Sequence, residues 1–503
     1  MGQITYRANL SAKSFPFLAK NWGRTVIVPQ YDNAFNRQVT SQEDSDKDIG
    51  IPQIYYCHNV MPTQQGFQSV GYETFWKAPN IPAAFVDIID SGPGSTLYFG
   101  QTDTGAVYIN VNAVWTYLAS FPMPYVMTQA VVNGVQYIYL SGIGCYTYNF
   151  TTGLLDPVTL TALVPTAIKG ITAAAGYMIA WSAKASYWSS TIDPTDFVPS
   201  LISGAGGGQI EASKGDIIFC AAHTLGFIVY TEANVVIALY SGNARYPFNF
   251  REIVNSGGVS DAGQITYDAR SGGQYVYSTS GLQLVLATQT KTVFPEVTDF
   301  LAGQLLEDYD EVLDVFITTE VAGHLLTRLS MVSDRYLILS YGIISLTHAV
   351  VYDLTTNRWG KLKIPHVACF EYFVPTAIVT ETPRKSMAFL QKDGILKIVS
   401  FDVNYVDSSG VICLGKYQFV RARMMQLNEI HLENIPNAAA TQVKLLTALD
   451  GKNTANSSPV LLDKSGVYRH YGCRATGVNH SLVVRGAFAL DSVVLVFNIH
   501  GKR

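Results

Sequence analysis

Seven pairs of short β-type runs recur between about residue 71 and residue 415, and this repetition restricts the fold more than any other feature of the chain. The first runs are Ser95-Thr-Leu-Tyr-Phe, Tyr137-Ile-Tyr-Leu, Tyr177-Met-Ile-Ala-Trp, Gly226-Phe-Ile-Val-Tyr, Gln274-Tyr-Val-Tyr-Ser, Tyr336-Leu-Ile-Leu-Ser and Ser386-Met-Ala-Phe-Leu. Each is followed, after a turn containing Gly or polar residues, by a second run. These are Gly105-Ala-Val-Tyr-Ile-Asn, Gly144-Cys-Tyr-Thr-Tyr-Asn, Ala185-Ser-Tyr-Trp-Ser-Ser, Asn234-Val-Val-Ile-Ala-Leu, Gly281-Leu-Gln-Leu-Val-Leu, His348-Ala-Val-Val-Tyr-Asp and Gly394-Ile-Leu-Lys-Ile-Val. The spacing between units, from about 40 to about 70 residues, matches a propeller blade of four strands. One hairpin cannot bury both of its own faces, whereas radial packing of blades buries both and leaves only short edges. Runs apolar at every position, such as Val235-Val-Ile-Ala-Leu-Tyr, fit strands covered on both sides. Six or seven blades fit the count, and a pair of unrelated β-sandwiches is the competing architecture.

Composition agrees. Hydrophobic residues make up 48% of the 503 and aromatics 12%, with 30 Tyr and 24 Phe. Such a chain has too much apolar surface to stay disordered, and Tyr, Val, Thr and Phe suit pleated sheets. Charged residues reach only 14%, against about 25% in an ordinary domain. None occurs from Thr104 through Leu155. The net charge of −4 lacks the basic footprint of a dedicated nucleic-acid binder. Low surface charge fits either a large buried core or surface covered by partners.

The expected organisation is all-β, in three parts. Residues 1–70 contain no long periodic segment and read as an extended N-terminal arm able to wrap a neighbour or the body. Residues 71–415 form the propeller. Residues 416–503 alternate cleanly, as in Glu429-Ile-His-Leu-Glu and Ser492-Val-Val-Leu-Val-Phe, and read as an antiparallel C-terminal β domain with one wet face. Asp450-Gly-Lys-Asn reads as its hairpin turn. Leu305-Leu-Glu-Asp-Tyr-Asp-Glu-Val-Leu is the one dense acidic run in mid-chain, expected as a short helix or a long inter-blade loop.

Motifs for chemistry are sparse. The six cysteines contain no CxxC pair, so buried reduced thiols are expected. Met1–Lys20 has no continuous apolar core of a signal peptide, and no run is long enough to span a membrane. Gly204-Ala-Gly-Gly-Gly lacks the Lys-Ser/Thr of a phosphate loop and reads as a flexible inter-blade loop. Glu429, His431 and Glu433 share one strand face by their period of two, so a metal site stands there against a solvated face. Asp193, Asp196, Asp268 and Asp353 are the candidates for a glycosidase carboxylate pair, but each lies in a turn where Asp caps backbone. Arg421 and Arg423 share a strand face and Lys502-Arg503 ends the chain, without forming a basic stripe. No catalytic residue, metal or cofactor is expected.

Residues from about Cys57 to Pro365 resemble the tail nozzle (hub) proteins of short-tailed bacteriophages. The resemblance rests on Asn59-Val-Met-Pro-Thr-Gln-Gln-Gly-Phe-Gln-Ser-Val-Gly, on Gly226-Phe-Ile-Val-Tyr-Thr-Glu-Ala-Asn and on Val350-Val-Tyr-Asp-Leu-Thr-Thr-Asn-Arg-Trp-Gly. Its most distinctive part is Trp188-Ser-Ser-Thr-Ile-Asp-Pro-Thr-Asp-Phe. The resemblance implies a structural, non-enzymatic virion protein assembled in the host cytoplasm. It further implies a homohexameric ring at the distal end of the tail, below an adaptor or stopper ring and beside fibres or spikes. Viral DNA would pass transiently through the ring lumen during ejection. The acidic run and the C-terminal sheet depart from the family pattern. Glu307, Asp308, Asp310 and Glu311 are candidates for a lumen or ring interface, where they would repel phosphate, against a plain solvated loop. The alternative function is a carbohydrate- or receptor-binding propeller module of a virion or cell surface.

Overall fold

A computed structural model describes residues 2–9, 26–27, 54–76, 81, 83–90, 97–243, 245–302, 305–310, 315–320, 325–374, 384–401, 410–418, 425–433, 441–448, 456–457, 470–477 and 479–499. The fold is all-β, a propeller of seven blades with a two-sheet terminal domain. Blades 1 to 5 are four-stranded antiparallel sheets over residues 85–120, 127–158, 170–209, 217–252 and 265–292. Blade 6 takes its four strands from residues 326–366. Blade 7 takes three from residues 368–400 and its outermost from Gly71–Thr74.

That last strand closes the ring. Gly71–Thr74 runs antiparallel to Leu396–Ser400, with Tyr72 opposite Val399 and Glu73 opposite Ile398. The chain thus joins its beginning to its end through main-chain hydrogen bonds, and no blade interface is left open. Trp76 follows directly, with no exposed surface. It packs against Tyr98 and Trp115 of blade 1 and Phe370 and Tyr372 of blade 7, at ring-centre distances of 5.5, 5.3, 6.3 and 5.6 Å. Its indole N–H donates to the Tyr372 hydroxyl.

Local chemistry sets the hairpins. Asn112-Ala113, Asn133-Gly134 and Ala175-Gly176 all hold both residues at positive φ. This is the type I′ geometry that matches strand twist in a two-residue turn. Every hairpin read from the sequence is the second and third strand of a blade. Those strands are covered by neighbouring blades on both faces, as in Gly226–Thr231, buried at all positions.

Segments expected as arm and loop carry structure of their own. Gly2–Asn9 pairs with Ser492–Ile499 over eight residues, and Ile54–His58 pairs with Gly410–Gln418. The N-terminal residues therefore complete both sheets of the terminal domain. Sequence periodicity does not show this because the partners lie hundreds of residues away. The acidic run is a β-hairpin, Leu305–Asp310 against Val315–Glu320, where a helix or loop was expected. The helix lies just before it, at Pro295–Ala302. The glycine-rich segment is likewise a strand, Gly206–Gln209, on the outer edge of blade 3. A Cβ at Gly207 would stand 2.5 Å from the Tyr187 ring, so glycine there lets the strand lie against the aromatic side chains of its partner. The polar stretch Thr40–Asp48, the Asp450-Gly-Lys-Asn turn, Arg421, Arg423, Lys502 and Arg503 lie outside the described residues.

Blade 6 joins propeller to terminal domain. Its outer strand Arg358–His366 continues through Val60–Pro62 and Phe67–Ser69 to Ala489–Leu490, making one seven-stranded sheet. Arg358 is 3% exposed. It donates to the carbonyls of Gly66, Thr63 and Gln64 at 3.1, 2.6 and 2.7 Å, fixing the turn between those two added strands. A single apolar core runs from Leu337, Leu339 and Val350 of blade 6 through Phe67 and Phe488. It ends between the two terminal sheets at Ile412, Leu414, Val484, Leu427, Leu495 and Phe497.

Replacing the ring-closing indole, Trp76→Ala, is expected to cost about 3–5 kcal/mol. It should also raise amide exchange across residues 71–74. A guanidinium titration and hydrogen exchange read the two effects.

Candidate functional site: the central channel and the uncharged rim

The innermost strand of every blade faces the propeller axis. Those of blades 1, 2, 4, 5, 6 and 7 contribute to a cavity of about 710 Å³ there. Polar side chains stitch the seams between blades around it. Gln101 of blade 1 donates to the Tyr125 carbonyl at 2.9 Å on the way into blade 2. The Thr128 hydroxyl of blade 2 accepts from the Ile171 amide of blade 3 at 3.0 Å. Lys184 and Lys169 of blade 3 reach Asp216 ahead of blade 4 at 2.9 and 3.5 Å, and hold its carboxyl below the ordinary range. Gln274 of blade 5 donates to the Ala222 carbonyl of blade 4 at 2.9 Å and accepts a short hydrogen bond from the Tyr230 hydroxyl. Gln264 donates to Thr327 at 3.0 Å between blades 5 and 6. Ser330 donates to the Cys369 carbonyl at 2.6 Å between blades 6 and 7.

One ion pair reaches further. Arg328, on the inner strand of blade 6, meets Asp87 of blade 1 at 2.7 Å, bridging past blade 7. Its second nitrogen donates to the Val367 carbonyl at 3.4 Å. Burial works against the Arg328 charge, but Asp87 outweighs it, and the guanidinium holds its proton more firmly than usual. Both side chains stay about a quarter exposed, at 27% and 25%, so solvent tempers the pair.

Charge in the channel is unbalanced. Asp87, Asp103, Asp261 and Glu371 line it with Arg328, and Lys385 pairs with Glu371 at 2.9 Å, which leaves Asp103 and Asp261 as the excess. Each carboxylate already serves a local donor. Asp103 accepts from the Ala84 amide at 3.1 Å, Asp261 caps a helical turn through the Gly263 amide at 2.7 Å, and Glu371 accepts from the Ser333 amide at 2.6 Å. Those contacts leave a site that repels anions and holds its own backbone.

The residues singled out from sequence are dispersed. Asp193 accepts from the Thr195 amide at 2.9 Å, Asp196 from the Thr161 hydroxyl at 3.0 Å and Asp268 from the Ser271 hydroxyl at 2.7 Å. Asp353 is clamped by Arg335 at 3.0 and 2.7 Å. They cap turns of blades 3, 5 and 6, and no two face each other as an acid–base pair would. His431 stands 3.4 Å from Glu429. The Glu433 side chain lies outside the described residues, and among those described no three metal-binding side chains converge. Glu307, Asp308 and Asp310 belong to the inserted hairpin. Glu311 and the side chains of all four acids lie outside the described residues. Arg328 and Asp87 were missed, because a contact 241 positions apart leaves no local signature.

The outer surface of blades 1 and 2 is the second feature. Val114, Tyr117, Phe150 and Leu154 are 62%, 54%, 75% and 55% exposed, all within the stretch without charge.

Two measurements check the channel. Arg328→Gln leaves Asp87 without its cation, and a loss of about 1–2 kcal/mol is expected given the partial exposure. His366, on blade 6, hydrogen-bonds the Ile364 carbonyl through Nδ1 and Ser340 through Nε2, both at 2.7 Å. A carbonyl only accepts, so Nδ1 carries the proton and Nε2 accepts from Ser340. Burial drives the His366 pKa down from 6.5 to about 4, and Arg328 adds to that. The neutral ring therefore stabilises the fold fully above pH 6.5. That contribution, on the order of 3 kcal/mol, is lost as pH falls from 6.5 toward 4. Denaturation midpoints across that window should fall for the native chain and flatten for His366→Asn.

No family model and no curated protein matches the chain. Among solved structures it is similar to the WD40 β-propeller domain of Doa1, at 9% identity and a TM-score of 0.38, over 66% of this chain and 97% of that one. It is similar to YCF48 from Cyanidioschyzon merolae at 12% identity and a TM-score of 0.39, over 65% and 98%. It is also similar to YCF48 bound to D1 peptide, at 9% identity and a TM-score of 0.37, over 65% and 94%.

Proposed function

We propose that the chain is a structural, non-enzymatic ring protein of a short-tailed phage tail, the nozzle through which the genome leaves. The observation that carries this reading is the charge-free outer strand of blade 1, Val114–Ser120, with Phe150 and Leu154 exposed on blade 2, on a propeller stitched at every seam. A rigid disc with an uncharged apolar rim is suited to standing between copies of itself, and apolar burial supplies association without the cost of desolvating charge. The conduit in this reading is the space enclosed by the ring of protomers. The terminal domain is the surface left for an adaptor ring, fibres or spikes.

The native mass tests it. Six copies of the 55.0 kDa chain, about 330 kDa, are expected. A discrete 55.0 kDa species with affinity for a glycan would overturn the ring and favour the carbohydrate-binding module.

A further inference from the structure

Propeller blades end in outer strands whose unpaired amides and carbonyls invite pairing with another chain, and folded proteins blunt such edges with charge, proline, shortness or a covering strand. Six of the seven blades here show one of these devices. Blade 2 ends in Leu154–Val158, with Asp156 and Pro157. Blade 3 ends in the four residues Gly206–Gln209. Blade 4 ends in Phe248–Glu252, with Arg251 and Glu252, and blade 5 in three residues around Lys291. Blade 6 is covered by Val60–Pro62, and blade 7 ends in four residues containing Glu73. Blade 1 ends in Val114–Ser120, Val-Trp-Thr-Tyr-Leu-Ala-Ser, seven residues without charge or proline. Its one register shift follows Tyr117, so Val114–Tyr117 runs in unbroken register with its neighbour. Among the described residues no strand pairs with its outer side.

The same chain carries a complementary edge. Among the described residues, Leu305–Asp310 and Val315–Glu320 pair only with each other, and a two-stranded ribbon is marginal alone. The first strand, Leu-Leu-Glu-Asp-Tyr-Asp, has three acids in six residues and blunts its own side. The second, Val-Phe-Ile-Thr-Thr-Glu, has none in its first five and combines β-branched and aromatic residues. An uncharged edge accepts an uncharged strand without burying a lone charge. Among the described residues of one chain the two edges are not joined.

We propose that the outer strand of blade 1 accepts the Val315–Glu320 edge of a second copy, which adds to the blade as a fifth strand. Donor and acceptor are different parts of the surface, so the contact is head-to-tail and repeats from copy to copy until a ring closes. This rests on the ring reading above and names the contact that builds it. The acids Glu307, Asp308 and Asp310 then line the outside of the junction, where they keep a further strand from adding.

Mass photometry on the full chain tests the contact with two charge insertions. Thr116→Lys spoils the acceptor edge and Thr318→Lys the donor edge. Each should raise the concentration needed for assembly at least tenfold with an unchanged melting midpoint, while Thr116→Val assembles as the native chain does. A mixture of the two lysine variants retains one intact junction and should give pairs but no rings. Rings that survive both lysines would overturn this contact and leave the ring reading standing. Loss with Thr116→Lys alone would overturn the hairpin as donor. A native chain monomeric at all concentrations would overturn both.

Discussion

The structure depends on one short piece of antiparallel pairing, Gly71–Thr74 against Leu396–Ser400. A propeller that fails to close leaves two blade faces bare, and here those faces are aromatic. Trp76, Tyr98, Phe370 and Tyr372 meet at that seam. Burial of such side chains is worth several kcal/mol each, so the closing strand gates a large share of the stability of the disc. Because it comes from the N-terminal side, the ring cannot be completed until residues about 320 positions apart have met. Loop closure on that scale is slow but adds little free-energy cost over shorter loops.

Closure also anchors what lies outside the ring. The chain leading to the closing strand first supplies Ile54–His58 to the terminal domain and Val60–Pro62 and Phe67–Ser69 to the sheet of blade 6. Blade 6 and the terminal sheets share one apolar core, so disc and terminal domain are packed against each other. Arg358, buried beneath the turn it holds, is part of that mechanical continuity.

How much of this was legible follows from which faces are covered. The second and third strands of each blade are the most apolar because neighbouring blades cover both sides, and all seven pairs stand out in the sequence. Inner strands such as Met-Thr-Gln-Ala-Val-Val at Met127–Val132 mix polar and apolar residues, since one end of their environment is the channel. Outer strands such as Gly206–Gln209 carry no apolar signature at all. The arm was opaque because Gly2–Asn9 is half polar and finds its partner at Ser492–Ile499. The acidic run misled because a charged edge strand and a charged helix share composition, and only pairing with Val315–Glu320 separates them. In the site, turn-capping by Asp193, Asp268 and Asp353 was readable from local chemistry. The Arg328–Asp87 bridge was not, since its partners come from blades at opposite ends of the propeller sequence.

The absence of charge between Thr104 and Leu155 ties fold to function. Deep burial explains it for the middle strands of blades 1 and 2, but not for Val114, Tyr117, Phe150 and Leu154 at the surface. In the proposed ring, those residues are covered by another copy. Hydrogen exchange on the chain at assembling and at dilute concentration tests this most directly. Amides of 71–74 should be protected at both concentrations, and those of 114–117 and 315–320 should gain protection in the assembled state. Equal exchange of 114–117 at both concentrations would contradict the account.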